Sequence, residues 1–264
     1  MQQPRRVDVR WEWINQGWEM YSQQMANWLL ISLVVFLISA IPAVPLYGFA
    51  YFSIIRNGGA NPQDVQEVIR VLQTSGLNIM ITLVSAVVQA IIQAFSYSGY
   101  YHVSLKQLRG EQVSIGDFFA GLGNIPAILG VTAIMAGIQF VGNLFCCLGT
   151  LATLASLGLI IFTYPLIVDR KMGTIDAIKA SLDITKQNPV MFILFGIVAH
   201  LIGYCGVLLC CIGVIFTAPL LITIVTCAYR DCFGLPGQYG AYEPPPPPSY
   251  GGYEPPPPPP TSWQ

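Results

Sequence analysis

Six stretches of this chain, roughly 28–52, 78–98, 123–145, 149–168, 190–209 and 212–229, contain no Asp, Glu, Lys or Arg and are mostly apolar. A helix of about 20 such residues crosses the hydrocarbon core of a bilayer. Where water is absent, a helix also satisfies its own backbone groups, which lipid demands. Only 9% of the 264 residues are charged, against roughly 25% in soluble domains. A water-soluble fold of this size could not cover its surface. The expectation is an all-α protein, a six-transmembrane-helix bundle over residues 28–230. It is preceded by an amphipathic segment at 1–27 and followed by a disordered tail at 231–264. No short apolar core directly follows the basic start, as a cleaved signal requires, so the first run reads as a retained span.

Ten of the twelve Lys and Arg residues fall on one side of such a bundle. They are Arg5, Arg6 and Arg10 before the first span, Lys106 and Arg109 in the second connection, Arg170, Lys171, Lys179 and Lys186 in the fourth, and Arg230 after the last. Arg56 and Arg70 fall on the other side. Cation-rich connections stay in the cytoplasm. The reading is a multi-pass protein of the cell (inner or plasma) membrane with both termini cytoplasmic.

The spans pair as three hairpins. "LFCCLGT" at 144–150 and "LLCCIGV" at 208–214 are similar outer turns, and "IFTYP" at 161–165 matches "IFTAP" at 215–219, which suggests a duplicated unit. Pro42 and Pro45 predict a kink or an early end in the first span. In the outer connection 56–77, Asn61, Pro62 and Gly76 bracket a short helix.

Each hairpin follows a segment that can lie in the headgroup plane. In the first, Trp11, Ile14, Trp18, Tyr21 and Met25 form an apolar stripe. In 169–189, Ile175, Ile178 and Leu182 do so, with Thr174 as cap and Lys179–Asp183 as a helical ion pair. The segment 113–126 is a poorer copy because of its glycines. Such helices anchor the bundle at the interface or meet anionic lipid headgroups.

The stretch "DRKMGTIDAIKASLDITKQNP", with the Gly- and Cys-containing hairpin and "FTAPL" after it, resembles uncharacterised bacterial membrane proteins related to the glycerophosphoryl diester phosphodiesterase membrane-domain family. The matching positions are Gly173, Ala177, Ile178, Ser181, Lys186 and Asn188. The resemblance implies a six-helix membrane domain and brings no catalytic residue, because that family's phosphodiesterase chemistry belongs to a separate soluble domain.

The spans hold few groups capable of chemistry. Gln89 and Gln93 share a face of the second span, Gln139 and Asn143 share one of the third, and His200 is the imidazole within a span. Polar groups in hydrocarbon usually bond across helices; the alternative is a pathway for a small solute. Ser156 and His200 invite comparison with a nucleophile–base pair. Cys146, Cys147, Cys205, Cys210 and Cys211 gather at the outer face, as small apolar residues in tight turns, as a hairpin-linking disulfide, or as thiolate ligands whose spacing is unusual for zinc. Cys227 and Cys232 near the cytoplasmic surface are open to acylation. No cofactor motif, metal motif or nucleic-acid signature is present.

The tail repeats "YGAYEPPPPPS" as "YGGYEPPPPPP". Such a sequence cannot bury a core and favours polyproline II. Pro247, Pro248 and Tyr250 fit the pattern of a ligand for Pro-binding domains. The functional expectation is therefore a non-catalytic membrane scaffold, adaptor or regulatory subunit with a docking tail. A small-solute transporter or channel-like protein is the alternative, and an intramembrane enzyme the third reading.

Overall fold

The computed structural model describes residues 8–56, 76–144, 148–208 and 213–234, and all regular structure among them is helical. Helix α1 (Glu12–Gln23) leads through Gln24 into α2 (Met25–Arg56). Then come α3 (Gly76–Leu108), α4 (Ile115–Ala120), a 3₁₀ turn (Gly121–Asn124) and α5 (Ile125–Leu144). After them follow α6 (Leu148–Leu159), α7 (Thr163–Arg170), α8 (Thr174–Thr185), α9 (Pro189–Tyr204), a 3₁₀ turn (Cys205–Leu208) and α10 (Val214–Phe233). Among the described residues, four helical stretches are long and apolar enough to cross a membrane: Ile115–Gln139, Leu151–Arg170, Pro189–Val207 and Val214–Phe233. A fifth is counted if α1 and the start of α2, bent by 89°, form one span.

Helix α10 is the axis of the molecule. Every residue from Leu221 to Tyr229 is buried. Helices α1, α2, α3 and α9 pack around it. Helix α1 approaches so closely that a Cβ on Gly17 would stand 2.6 Å from Ile224 Cγ1. Hydrogen bonds tie these helices together. Trp28 Nε1 donates to Gln107 Oε1 over 2.7 Å, the Gln107 amide donates to the Met20 carbonyl, and Ser104 Oγ donates to Thr226 Oγ1 over 2.8 Å. Trp13 Nε1 donates to Asp231 over 2.9 Å.

Several expectations are corrected. Helix α2 continues through Pro42 and Pro45 to Arg56, so the first span does not end early there. The run at 149–168 does form one candidate span, Leu151–Arg170, but the helix within it is interrupted at residues 160–162. Helix α1 docks through Trp13, Gly17, Met20 and Tyr21, while Trp11 and Trp18 of the expected stripe face outward. Helix α8 likewise buries Ala177, Ala180, Ser181, Ile184 and Thr185 and leaves Ile175 exposed. In a bilayer, small residues make helix contacts and bulky ones face lipid. Gly173, not Thr174, is the α8 cap; Thr174 instead donates to the Ala127 carbonyl of α5 over 2.8 Å. Asp183 pairs with Lys186 at 2.5 Å rather than with Lys179. The outer-connection helix expected near Asn61 and Pro62 lies outside the described residues.

The cation-rich end is a set of bonded pairs. Asp169, whose side chain is fully buried, accepts from Arg109 over 2.5 Å and from the Tyr229 hydroxyl over 2.7 Å. Arg170 donates to the Phe233 carbonyl over 2.8 Å and closes the last turn of α10, where a cation suits the helix dipole. The charged segment at 169–171 thus fastens α7 to α10.

Candidate functional site

Helix α3 carries a polar stripe at steps of four, Gln89, Gln93, Tyr97 and Tyr101. Residues so spaced share one helix face. The stripe looks toward α6, α7 and α9, each of which is placed by a local device. The break between α6 and α7 is held open by α8: Ser181 Oγ and Thr185 Oγ1 both donate to the Leu159 carbonyl, over 3.0 and 2.8 Å. Ser181 Oγ also accepts the Phe162 N–H over 3.3 Å. The break turns Tyr164 inward. Helix α9 lies flush on α6 because a Cβ on Gly158 or Gly196 would collide with the other helix's backbone. That contact fixes His200, whose Nδ1 donates to the Gly196 carbonyl over 2.7 Å, which leaves Nε2 as the free ring nitrogen.

Between these helices is a chamber of about 240 Å³, open to the surroundings beside the exposed Gln93 and Tyr204. Its polar lining is Gln93, Tyr97, Tyr101, Thr153, Ser156, Tyr164, His200 and Tyr204; Met135, Leu157, Ile160, Ile161, Leu221 and Val225 complete it. Tyr97 and Tyr164 stack with ring centres 4.6 Å apart, Tyr101 and Tyr164 stack at 6.1 Å, and His200 and Tyr204 stack at 6.3 Å. A second cavity of about 350 Å³ shares Gln93, Tyr97, Tyr204 and Leu221 with the first and adds Ser39, Gln89, Ser96 and Tyr100. The lining offers hydroxyl, amide and imidazole groups and no charge. It can bind a neutral polar solute, with aromatic faces against the solute's apolar part.

The sequence-selected residues distribute as follows. Gln93, Ser156 and His200 line one chamber, and Gln89 lines its neighbour. Gln139 meets the Thr153 hydroxyl across α5 and α6. The backbone of Asn143 belongs to α5, and its side chain lies outside the described set. Ser156 Oγ donates to the Thr153 carbonyl over 2.7 Å, and among the described residues no hydrogen bond joins it to His200. Cys205 carries a free thiol directed at the Ile202 carbonyl, and Cys227 and Cys232 are also free. Cys146, Cys147, Cys210, Cys211 and the tail positions Pro247, Pro248 and Tyr250 lie outside the described residues. Among the described residues no group of three or more His, Cys, Asp or Glu side chains is placed to hold a metal ion.

The four tyrosines were not singled out from sequence. The signal was available in α3, where Tyr97 and Tyr101 continue the Gln89–Gln93 spacing. For Tyr164 and Tyr204 it was not, since their placement depends on the α6–α7 break and the α6–α9 contact. Comparison of the chain with family models, with curated proteins and with solved structures finds no match.

Proposed function

We propose that this is a six-span protein of the cell membrane, with both termini cytoplasmic, that takes up a small neutral polar or amphiphilic solute in the tyrosine-lined chamber without transforming it. The observation that supports this reading is convergence. Gln93, Ser156 and His200 come from three helices far apart in sequence, yet they line one cavity, and a second cavity shares its wall. Helical glue alone does not require polar groups from three helices to face one cavity. A transporter-like role is therefore favoured over a purely structural one.

The six-span count adds the apolar runs of α2 and α3 to the four stretches already described, and the resemblance at Gly173–Asn188 supports it. The cation asymmetry supports the orientation. The repeated Pro-rich tail supports a secondary role in which the cytoplasmic end docks a Pro-binding partner.

The test is efflux of entrapped glycerol and erythritol from proteoliposomes. The wild-type protein should release one of them faster than protein-free vesicles. Gln93→Leu and His200→Leu should each abolish the excess while the detergent-solubilised variants keep a monodisperse profile. Efflux equal to that of empty vesicles, or unaffected by both substitutions, overturns the reading.

A further inference from the structure

Where α3 leaves the apolar run, it borders another cavity of about 390 Å³, unrelated to the chamber. His102 and Lys106 of α3 and Arg109 just after it face it, together with Asp117 of α4, Asp169 of α7 and Lys171 just beyond α7. Glu111 is at its margin, 3.9 Å from Lys106. In sequence these cations belong to two segments, 102–109 and 171; the fold brings them together. Lys106 is engaged on one side by Asp117 at 2.7 Å, and Arg109 by Asp169 at 2.5 Å. An ammonium has three donors and a guanidinium five, so both retain donors for a ligand.

Lys171 differs from the other two. Among the described residues it has no carboxylate partner; its Nζ donates to Asn124 Oδ1 over 3.1 Å. Asn124 is itself buried and anchored through Nδ2 to the Gly121 carbonyl over 3.1 Å. Lys171 also adopts φ 54°, the single left-handed non-glycine residue among those described. Glycine takes that conformation without cost, and a left-handed residue is a common way to end a helix such as α7. The His102 imidazole has its pKa lowered, first by burial and next by Lys171, against the opposing pull of Asp117.

Depth favours a headgroup. His102 is four residues past Ser98, the end of the apolar run, or roughly 6 Å at the rise of an α-helix. The polar layer on each face of a bilayer is roughly 5–8 Å deep.

We propose that this cavity binds a phosphate group through Lys171, Lys106 and Arg109, carried either by an anionic lipid headgroup or as a free anion. Lysine supplies a point charge and arginine a planar fork, the usual pair for phosphate oxygens. The site is independent of the solute chamber, and neither proposal depends on the other.

The experiment uses full-length protein with Lys171→Gly and Lys171→Arg. Glycine suits the left-handed backbone, so Lys171→Gly removes the charge without removing the fold, and its melting temperature verifies this. Protein extracted from vesicles of equal phosphatidylglycerol and phosphatidylcholine is examined by native mass spectrometry. In a second arm it is titrated in detergent with inorganic phosphate and its thermal shift is read. Wild type and Lys171→Arg should retain phosphatidylglycerol in preference, and Lys171→Gly should lose that preference by at least about tenfold, the effect of one charge-assisted hydrogen bond. A phosphate-induced shift present in wild type, absent in Lys171→Gly and unaccompanied by lipid preference supports the site with free anion as its source. The proposal is overturned if wild type shows neither effect, or if Lys171→Gly shows them undiminished.

Discussion

Gly196 has no space for a side chain. A Cβ there would collide with the Leu157 carbonyl and the backbone of Gly158. The same closeness at Gly17 lets α1 lie on Ile224. Bulky residues such as Leu201, Val190 and Trp18 point away from the bundle and are more than half exposed. This distribution is that of a chain in lipid, where dispersion between close backbones, and not the hiding of apolar surface, holds helices together. Gly196→Leu is expected to cost roughly 1–3 kcal/mol or more by overpacking, read as a lowered melting temperature in detergent. An unchanged melting temperature would mean that α6 and α9 are not in contact. The packing face of α1 was hard to read from sequence for the same reason. A stripe of Trp11, Ile14 and Trp18 is the conspicuous feature of that segment, yet the neighbours of Gly17 decide how it docks.

At the scale of elements, one motif has two outcomes. "IFTYP" at 161–165 marks the break between α6 and α7, whereas "IFTAP" at 215–219 lies within an unbroken α10. A broken helix in a bilayer must find other partners for its backbone groups. Around Leu159 and Phe162 those partners are Ser181 and Thr185 of α8. At the second site Thr217 donates to the Gly203 carbonyl of α9 over 2.6 Å and the helix runs on. Ser181→Ala with Thr185→Val should therefore destabilise the protein by about 1 kcal/mol per lost bond. Amide exchange at 159–163 should quicken while α9 and α10 stay protected. Uniform exchange across all helices would show that α8 does not support the break. The sequence makes the helical runs legible, because their length and lack of charge are local properties. The break is not legible, because the run at 149–168 lacks charge throughout and the groups that permit the interruption are 19 to 26 residues away.

For the molecule as a whole, the cation asymmetry is a sum over connections, so an orientation follows from the sequence without knowledge of packing. If that orientation holds, a cysteine in place of Trp263 is inaccessible to an impermeant thiol reagent in intact cells. Removing 235–264 should then strip co-purifying partners without altering the melting temperature of the membrane domain. Labelling from outside, or an unchanged partner set, would contradict the respective reading. What composition concealed is which helix is central. Of the four spanning stretches, Val214–Phe233 has the lowest mean hydropathy, 1.4, and the largest buried share, 56%. Soluble proteins reverse that relation; here threonines such as Thr223 and Thr226 are sheltered from lipid. Among the described helices, the central one is also the last in sequence. Met20 and Cys227 touch across 207 positions of chain, so α1 waits for nearly the entire polypeptide to leave the ribosome before its binding face is covered. Until then Gly17 and Ser104, whose partners are Ile224 and Thr226, have no mate, and a nascent chain arrested before residue 214 presents them uncovered to quality-control proteases.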